Sequence, residues 1–181
     1  VLGVVPDPSV SWISGDNTAG ARDAVDYLIA LGHTSIACIT GPPDQTASDA
    51  RFEGYRLAMS SAGLPMDRNI IEAGDFTQSG GYSAMHAIMG SRRIPSAVFA
   101  CNDTAGLKLT AVCGKIGIAI PESVAIIGVD NEDIICELAT PSLSSIMLDC
   151  EEIGFEAAAL LDELISKEST NSCPFNRADD E

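Results

Sequence analysis

Histidine, basic residues and aromatics are scarce in this chain, and each scarcity removes a class of function. Two histidines, His33 and His86, stand beside six cysteines at 38, 101, 113, 136, 150 and 173 that form no C-x-x-C pair. That spacing offers no zinc site, and no metal or cofactor is expected. Ten Lys and Arg face 26 Asp and Glu, a formal net charge of −16. A surface so negative repels phosphate, so these residues themselves are not expected to bind DNA or RNA. The acid excess otherwise serves solubility. No run approaches the roughly 18 apolar residues of a membrane span. No basic segment followed by an apolar one opens the chain, so no export signal is visible. Neither G-x-x-x-x-G-K-[ST] nor G-x-G-x-x-G occurs, and Gly41-Pro42-Pro43 has too few N–H groups to cradle phosphate. G-x-S-x-G is also absent, and neither histidine has an evident partner, so a protein that is not an enzyme is expected.

What is present is an alternation. Short apolar, β-branched runs alternate with helical patterns, as in a parallel sheet covered by helices. Residues 19–31 place Ala21, Ala24, Val25, Leu28 and Ile29 on one helical face, and Gly32 follows as a stop. Strands are expected at 36–40, 70–73, 97–101, 124–128 and 143–148. Helices are expected at 48–62, 79–90, 104–116 and 151–166. The stretch after Asp130 is less regular, and the tail from Ser166 is polar without a period. At least four β-then-α units follow one another, which makes the fold class α/β with a doubly wound parallel sheet. Cys38 and Cys101 fall inside apolar strands, where Cys behaves as a small hydrophobe. All six cysteines read as reduced thiols of a cytoplasmic protein, with a disulfide in a secreted one as the alternative.

Ligands of open α/β sheets bind beyond the carboxyl ends of the strands, so the residues just after each strand carry the information. Those are Arg51 near the start of the helix after 36–40, Phe76 after 70–73, Asn102 and Asp103 after 97–101, and Asp130 after 124–128. A guanidinium and a carboxylate hydrogen-bond adjacent hydroxyls, an amide donates and accepts, and a ring covers an apolar sugar face. The set suits a neutral polyol. Each residue also has a plainer use. Asn102, Asp103 and Asp130 would serve as caps or turn residues, Arg51 as the partner of Asp49, Phe76 as core, and His33 as a turn residue.

The ordered phrases YLIALGHTSIACITGPP, ARFEGYRLAMSSAGL, GDFTQSGGYSAM, IPSAVFACNDTAGL, GIAIPESVAIIGVDN and ATPSLSSI resemble the effector-binding domain of lac-repressor-type (LacI/GalR) transcription regulators, over residues 13 to about 166. The resemblance implies a periplasmic-binding-protein type I fold: two Rossmann-like lobes, the first incomplete in this chain, with the effector between them. It implies residues 1–34 as the end of the N-terminal lobe, 35–146 as the C-terminal lobe, 147–168 as a returning segment and 169–181 as a tail. It further implies a helix-turn-helix head and most of the first lobe upstream, operator DNA as a partner of that head, and a homodimer. Position by position, Arg51 matches the family's effector arginine, Asn102 and Asp130 its polar ligands, and Phe76 its stacking aromatic. Two departures stand out: Gly3 where an Asp is common, and Pro141-Ser142-Leu143-Ser144-Ser145-Ile146 for the usual P-x-L-T-T-[VI]. The phrase DNEDIICELATPSLSSI also resembles regulators of the AraC/XylR type, which carry their DNA-binding domain at the other end. A sugar-binding protein of an ABC transporter would share the fold and the cleft.

Overall fold

The computed structural model describes residues 9–41, 45–66, 70–72, 83, 88 and 94–171. Phe76 lies outside these residues, as do His86 and the tail beyond 171, and the helix expected over 79–90 is described only at Ser83 and Ile88. The chain divides into two compact units, Asp16–Leu148 and Val1–Gly15 with Asp149–Glu181.

The larger unit holds strands β1 (Ile36–Thr40), β2 (Ile70–Glu72), β3 (Ala97–Ala100), β4 (Ala125–Asp130) and β5 (Ser144–Met147). They form one sheet in the order β2-β1-β3-β4-β5, every pair parallel. Helices α1 (Asn17–Ala30), α2 (Thr46–Ser61), α3 (Asp103–Ile116) and α4 (Asp133–Leu138) accompany it. Because β1 and β3 are covered on both faces, they are buried almost throughout and read as unbroken apolar runs rather than alternations. Alternate residues serve opposite layers. Ile36, Cys38 and Phe99 pack with Ala21, Val25, Tyr55 and Met59 of α1 and α2. Ala37, Ile39 and Val98 pack with Leu109, Val112 and Cys136 of α3 and α4 on the other side.

Local chemistry sets the helix ends. The Asp16 carboxylate accepts the Ala19 N–H at 2.9 Å and starts α1. Gly32 stops it at φ 94°, a conformation that costs glycine little, with Gly32 and His33 donating to Ile29 and Leu28 carbonyls. His33 then hydrogen-bonds Ser96 through Nδ1 at 2.9 Å, the turn role expected of it. Helix α1 lies directly on α2 at Gly54, and Thr18 donates to the Ala50 carbonyl at 3.2 Å.

Helix α1 buries its apolar face against α2 and the sheet, and so belongs to the larger unit. The short α4 was not foreseen: six residues hold less than two turns, too few to establish a period. In the smaller unit, α5 (Cys150–Asn171) begins where Asp149 accepts the Glu152 N–H at 3.0 Å, and it exposes Phe155, Leu161 and Ile165. Among the described residues no helix is long and apolar enough to cross a membrane. Cys38, Cys101, Cys113, Cys136 and Cys150 are free thiols, the first four buried.

Candidate ligand-binding site

The strand order reverses between β1 and β3: the chain leaves β1 outward to β2 and returns to β3 on its other side. At that switch point neighbouring connections depart to opposite faces and open a crevice at the strand tips. Arg51 occupies it. Helix α2 begins just beyond the tip of β1 and turns Arg51 back over the sheet, where the residue is 7% exposed. Its Nη1 donates to the Cys101 carbonyl just past β3 at 2.6 Å, and its Nη2 donates to Asp130 Oδ1 at the end of β4 at 2.7 Å. Its Nε donates to Asn17 Oδ1 at the start of α1 at 2.8 Å. One planar fork thus ties two helices and two strand ends together. Asp49, the alternative partner, is not the one used.

A guanidinium has five N–H donors, and these three bonds leave two. Asp130 keeps its second oxygen, Oδ2, which carries no bond to a described residue, and its side chain is 29% exposed. Asn102 serves as the helix cap that was its plainer use. Its Oδ1 caps α3 by accepting the Ala105 N–H at 2.8 Å, and its amide nitrogen carries no bond among the described residues. Arg51, Asn102 and Asp130 therefore converge on one edge of the sheet with donors and an acceptor in reserve. Burial pushes the Cys101 thiol up to about 11, so the group beneath Arg51 stays neutral.

One residue of this cluster, Asn17, was not among those read from the strand ends, and a second, Asp103, was read there with a cap as its plainer use. Asn17 is buried and orients Arg51, yet it precedes the first apolar residue of its helix and has no signature beyond following Asp16. Asp103 is 1% exposed and bonded to Glu132 and Ser145. Among the described residues no group of His, Cys, Asp and Glu is placed to hold a metal ion.

Burial raises the Asp130 carboxyl above its ordinary value, the Arg51 guanidinium opposes this, and Asp103 and Glu132 add to the rise. A carboxyl raised on folding contributes stability that is fully present below its unfolded-state value. That contribution is lost as pH rises through the folded value. Asp130→Asn is therefore expected to remove a fall in stability over the acid range just above the ordinary carboxylate value. Urea unfolding of both proteins from pH 3.5 to pH 6.5 checks it, through the difference between the two stability curves. A constant difference across that window would refute the assignment.

A parallel sheet of this order, covered by helices and with a polar cluster at its switch point, is an open doubly wound α/β fold, the class in which ligands bind beyond the strand tips. Residues 25–176 match the family model described as periplasmic binding protein-like domain, and the chain belongs to that family. The HTH-type transcriptional regulator CelR of Thermobifida fusca is 38% identical over 166 residues, which cover 92% of this chain and 48% of that protein. The HTH-type transcriptional repressor CytR of Escherichia coli K12 is 35% identical over 156 residues, 86% of this chain and 46% of that one. A LacI-type regulator from Bacillus cereus subsp. cytotoxis superposes with a TM-score of 0.83 at 30% identity, covering 92% of this chain and 60% of its own. A CelR–cellobiose complex superposes with a TM-score of 0.81 at 38% identity, covering 91% and 50%. The chain spans about half the length of the curated relatives it matches.

Proposed function

We propose that the chain is part of the effector-binding domain of a transcription regulator, and that it senses a small neutral ligand, a sugar, at the Arg51–Asp130 cluster. The observation that carries this reading is the buried Arg51 at the sheet's switch point, with N–H donors in reserve beside the free oxygen of Asp130. Adjacent hydroxyls of a sugar would accept from the guanidinium and donate to the carboxylate, while Asn102 would donate from its amide. The relatives favour the same ligand class, since one is solved with cellobiose and another is the ribose operon repressor of Escherichia coli K12. Phe76 is proposed as the ring that covers the sugar's apolar face.

In this reading Asp16–Leu148 is the C-terminal lobe of the domain, and the segments on either side of it belong with the N-terminal lobe. The regulator is a cytoplasmic homodimer that reaches operator DNA through a separate domain, because the acidic chain itself repels phosphate. Effector binding changes DNA affinity only by its preference for one conformation over another, a coupling of about 1–3 kcal/mol.

Thermal unfolding of the full-length gene product with D-ribose, D-glucose, cellobiose and adenosine tests the reading. At about 100 times its dissociation constant, a binder adds roughly 2.7 kcal/mol of stability. At least one sugar is expected to raise the melting temperature, and Asp130→Ala is expected to abolish the rise. A rise that persists in Asp130→Ala would remove the cluster from the binding site, and turnover of the sugar would replace the receptor with an enzyme.

A further inference from the structure

The end of β4 has an uncommon backbone. Asp130 and Asn131 both have positive φ, 118° and 52°. Asn visits the left-handed region readily, but Asp at 118° lies outside it, and such a corner persists only where its surroundings over-determine it. The two N–H groups that follow Asp130 show how. Glu132 N–H donates to Asp103 Oδ2 at 2.9 Å. Asn131 N–H donates to Ser145 Oγ at 3.0 Å, and Ser145 in turn donates to Asp103 Oδ1 at 2.5 Å. One carboxylate therefore holds both amides, the first directly and the second through a hydroxyl.

Space has been made for that carboxylate. It crosses the sheet at Gly128, which pairs in register with Ser145, and a Cβ at Gly128 would collide with Asp103 Oδ1 and crowd its Cα. None of the ion pairs among the described residues includes Asp103. A buried carboxylate without a cation is costly, and it persists here by accepting hydrogen bonds from this corner. Its Oδ2 also accepts from Cys136 Sγ at 3.5 Å, which ties α4 to the same point.

We propose that Asp103 is the positioning residue of the ligand site: without touching the ligand, it fixes the Asn131–Glu132 backbone so that Asp130 stays turned toward Arg51. The inference rests on the reading of Arg51 and Asp130 as the ligand-binding pair. Its test separates the two.

Amide hydrogen exchange in the ligand-free protein reads the corner directly, with Ile127 in the middle of β4 as the internal reference. In the native protein both corner amides are expected to be protected. Ser145→Ala removes the bridging hydroxyl alone and is expected to raise the rate of Asn131 relative to Ile127 by tenfold or more. Asp103→Asn is expected to raise that ratio for both Asn131 and Glu132. If Asp103→Asn does not fold, Ser145→Ala decides alone. A smaller rise in Asn131, or unprotected amides in the native protein, overturns the proposal.

Isothermal titration with cellobiose then reads the consequence for binding. Affinity at least fivefold weaker in Ser145→Ala, at an unchanged Ile127 rate, is the mark of positioning rather than of general stability. Unchanged affinity with a loosened corner overturns the positioning role. If the native protein binds no cellobiose, D-ribose and D-glucose are titrated in its place; binding of none of the three counts against the ligand reading, and exchange still judges Asp103.

Discussion

Arg51→Ala is expected to lower stability by about 3 kcal/mol and to abolish the thermal shift given by whichever sugar binds. Removing one member of a buried ion pair costs about 3–5 kcal/mol, because the other charge is left desolvated and unpaired. The Asp130 side chain is 29% exposed, so water reaches the orphaned carboxylate and the lower end applies. The Cys101 carbonyl and Asn17 Oδ1 lose their donors in the same step. For a chain of this length the loss corresponds to a melting temperature lower by roughly 6–12 °C. Arg51→Lys is not a rescue: one ammonium on a flexible stem cannot serve three acceptors fixed in the plane of a fork. The double variant with Asp130→Ala tests the mechanism. If the orphaned charge carries the cost, the double loss is smaller than the sum of the single losses, because no unpaired carboxylate remains. Additive losses would show that the pair is not coupled, and a melting shift under 2 °C in Arg51→Ala would show that the fork is not holding these elements together.

The parts of the fold that were legible share a physical reason. β1 and β3 are covered on both faces, so their burial leaves continuous apolar runs bounded by Gly, Pro and Asx, and their limits fall within a residue of expectation. Helix α3 announced itself through the Asn102 cap, and Gly117 closes it at φ 76°. The placement of the candidate residues was legible: switch-point logic selects residues after strands, and Arg51, Asn102 and Asp130 lie at the strand tips, with Arg51 bonded to Asp130. Their partners were not legible. Asn17 lies 34 residues from Arg51 in sequence and Asp103 lies 42 from Ser145, and no local period encodes a contact at that range. Asp103 was noted after its strand with a cap as its plainer use; Asn102 is the cap, and only the fold shows that Asp103 is buried over Gly128.

Gly54→Ala should destabilise the protein by about 3–5 kcal/mol, although on an exposed helix the same change would stabilise it by roughly 1 kcal/mol. The sign is set by α1. A Cβ at position 54 would run into the Thr18 carbonyl oxygen, and it would lie 2.8 Å from Ala21 Cβ and 2.9 Å from Arg22 N. Two of these three atoms are backbone, so no rotamer change relieves the overlap, and α1 must move as a body. Overpacking alone costs about 1–3 kcal/mol. Moving α1 also withdraws Thr18 from the Ala50 carbonyl and Asn17 from Arg51 Nε, the second a bond to a charged donor worth roughly 1.5–3 kcal/mol. The loss should therefore appear at the ligand site as well as in the melting temperature, with sugar affinity weakened although position 54 never faces the ligand. Gly114→Ala is the control, because it too lies inside a helix and a Cβ there meets nothing within 4 Å. It should raise the melting temperature slightly by the ordinary helix preference for Ala. Equal and small effects at positions 54 and 114 would mean that α1 does not rest on α2 at Gly54, and that Asn17 reaches Arg51 by some other support.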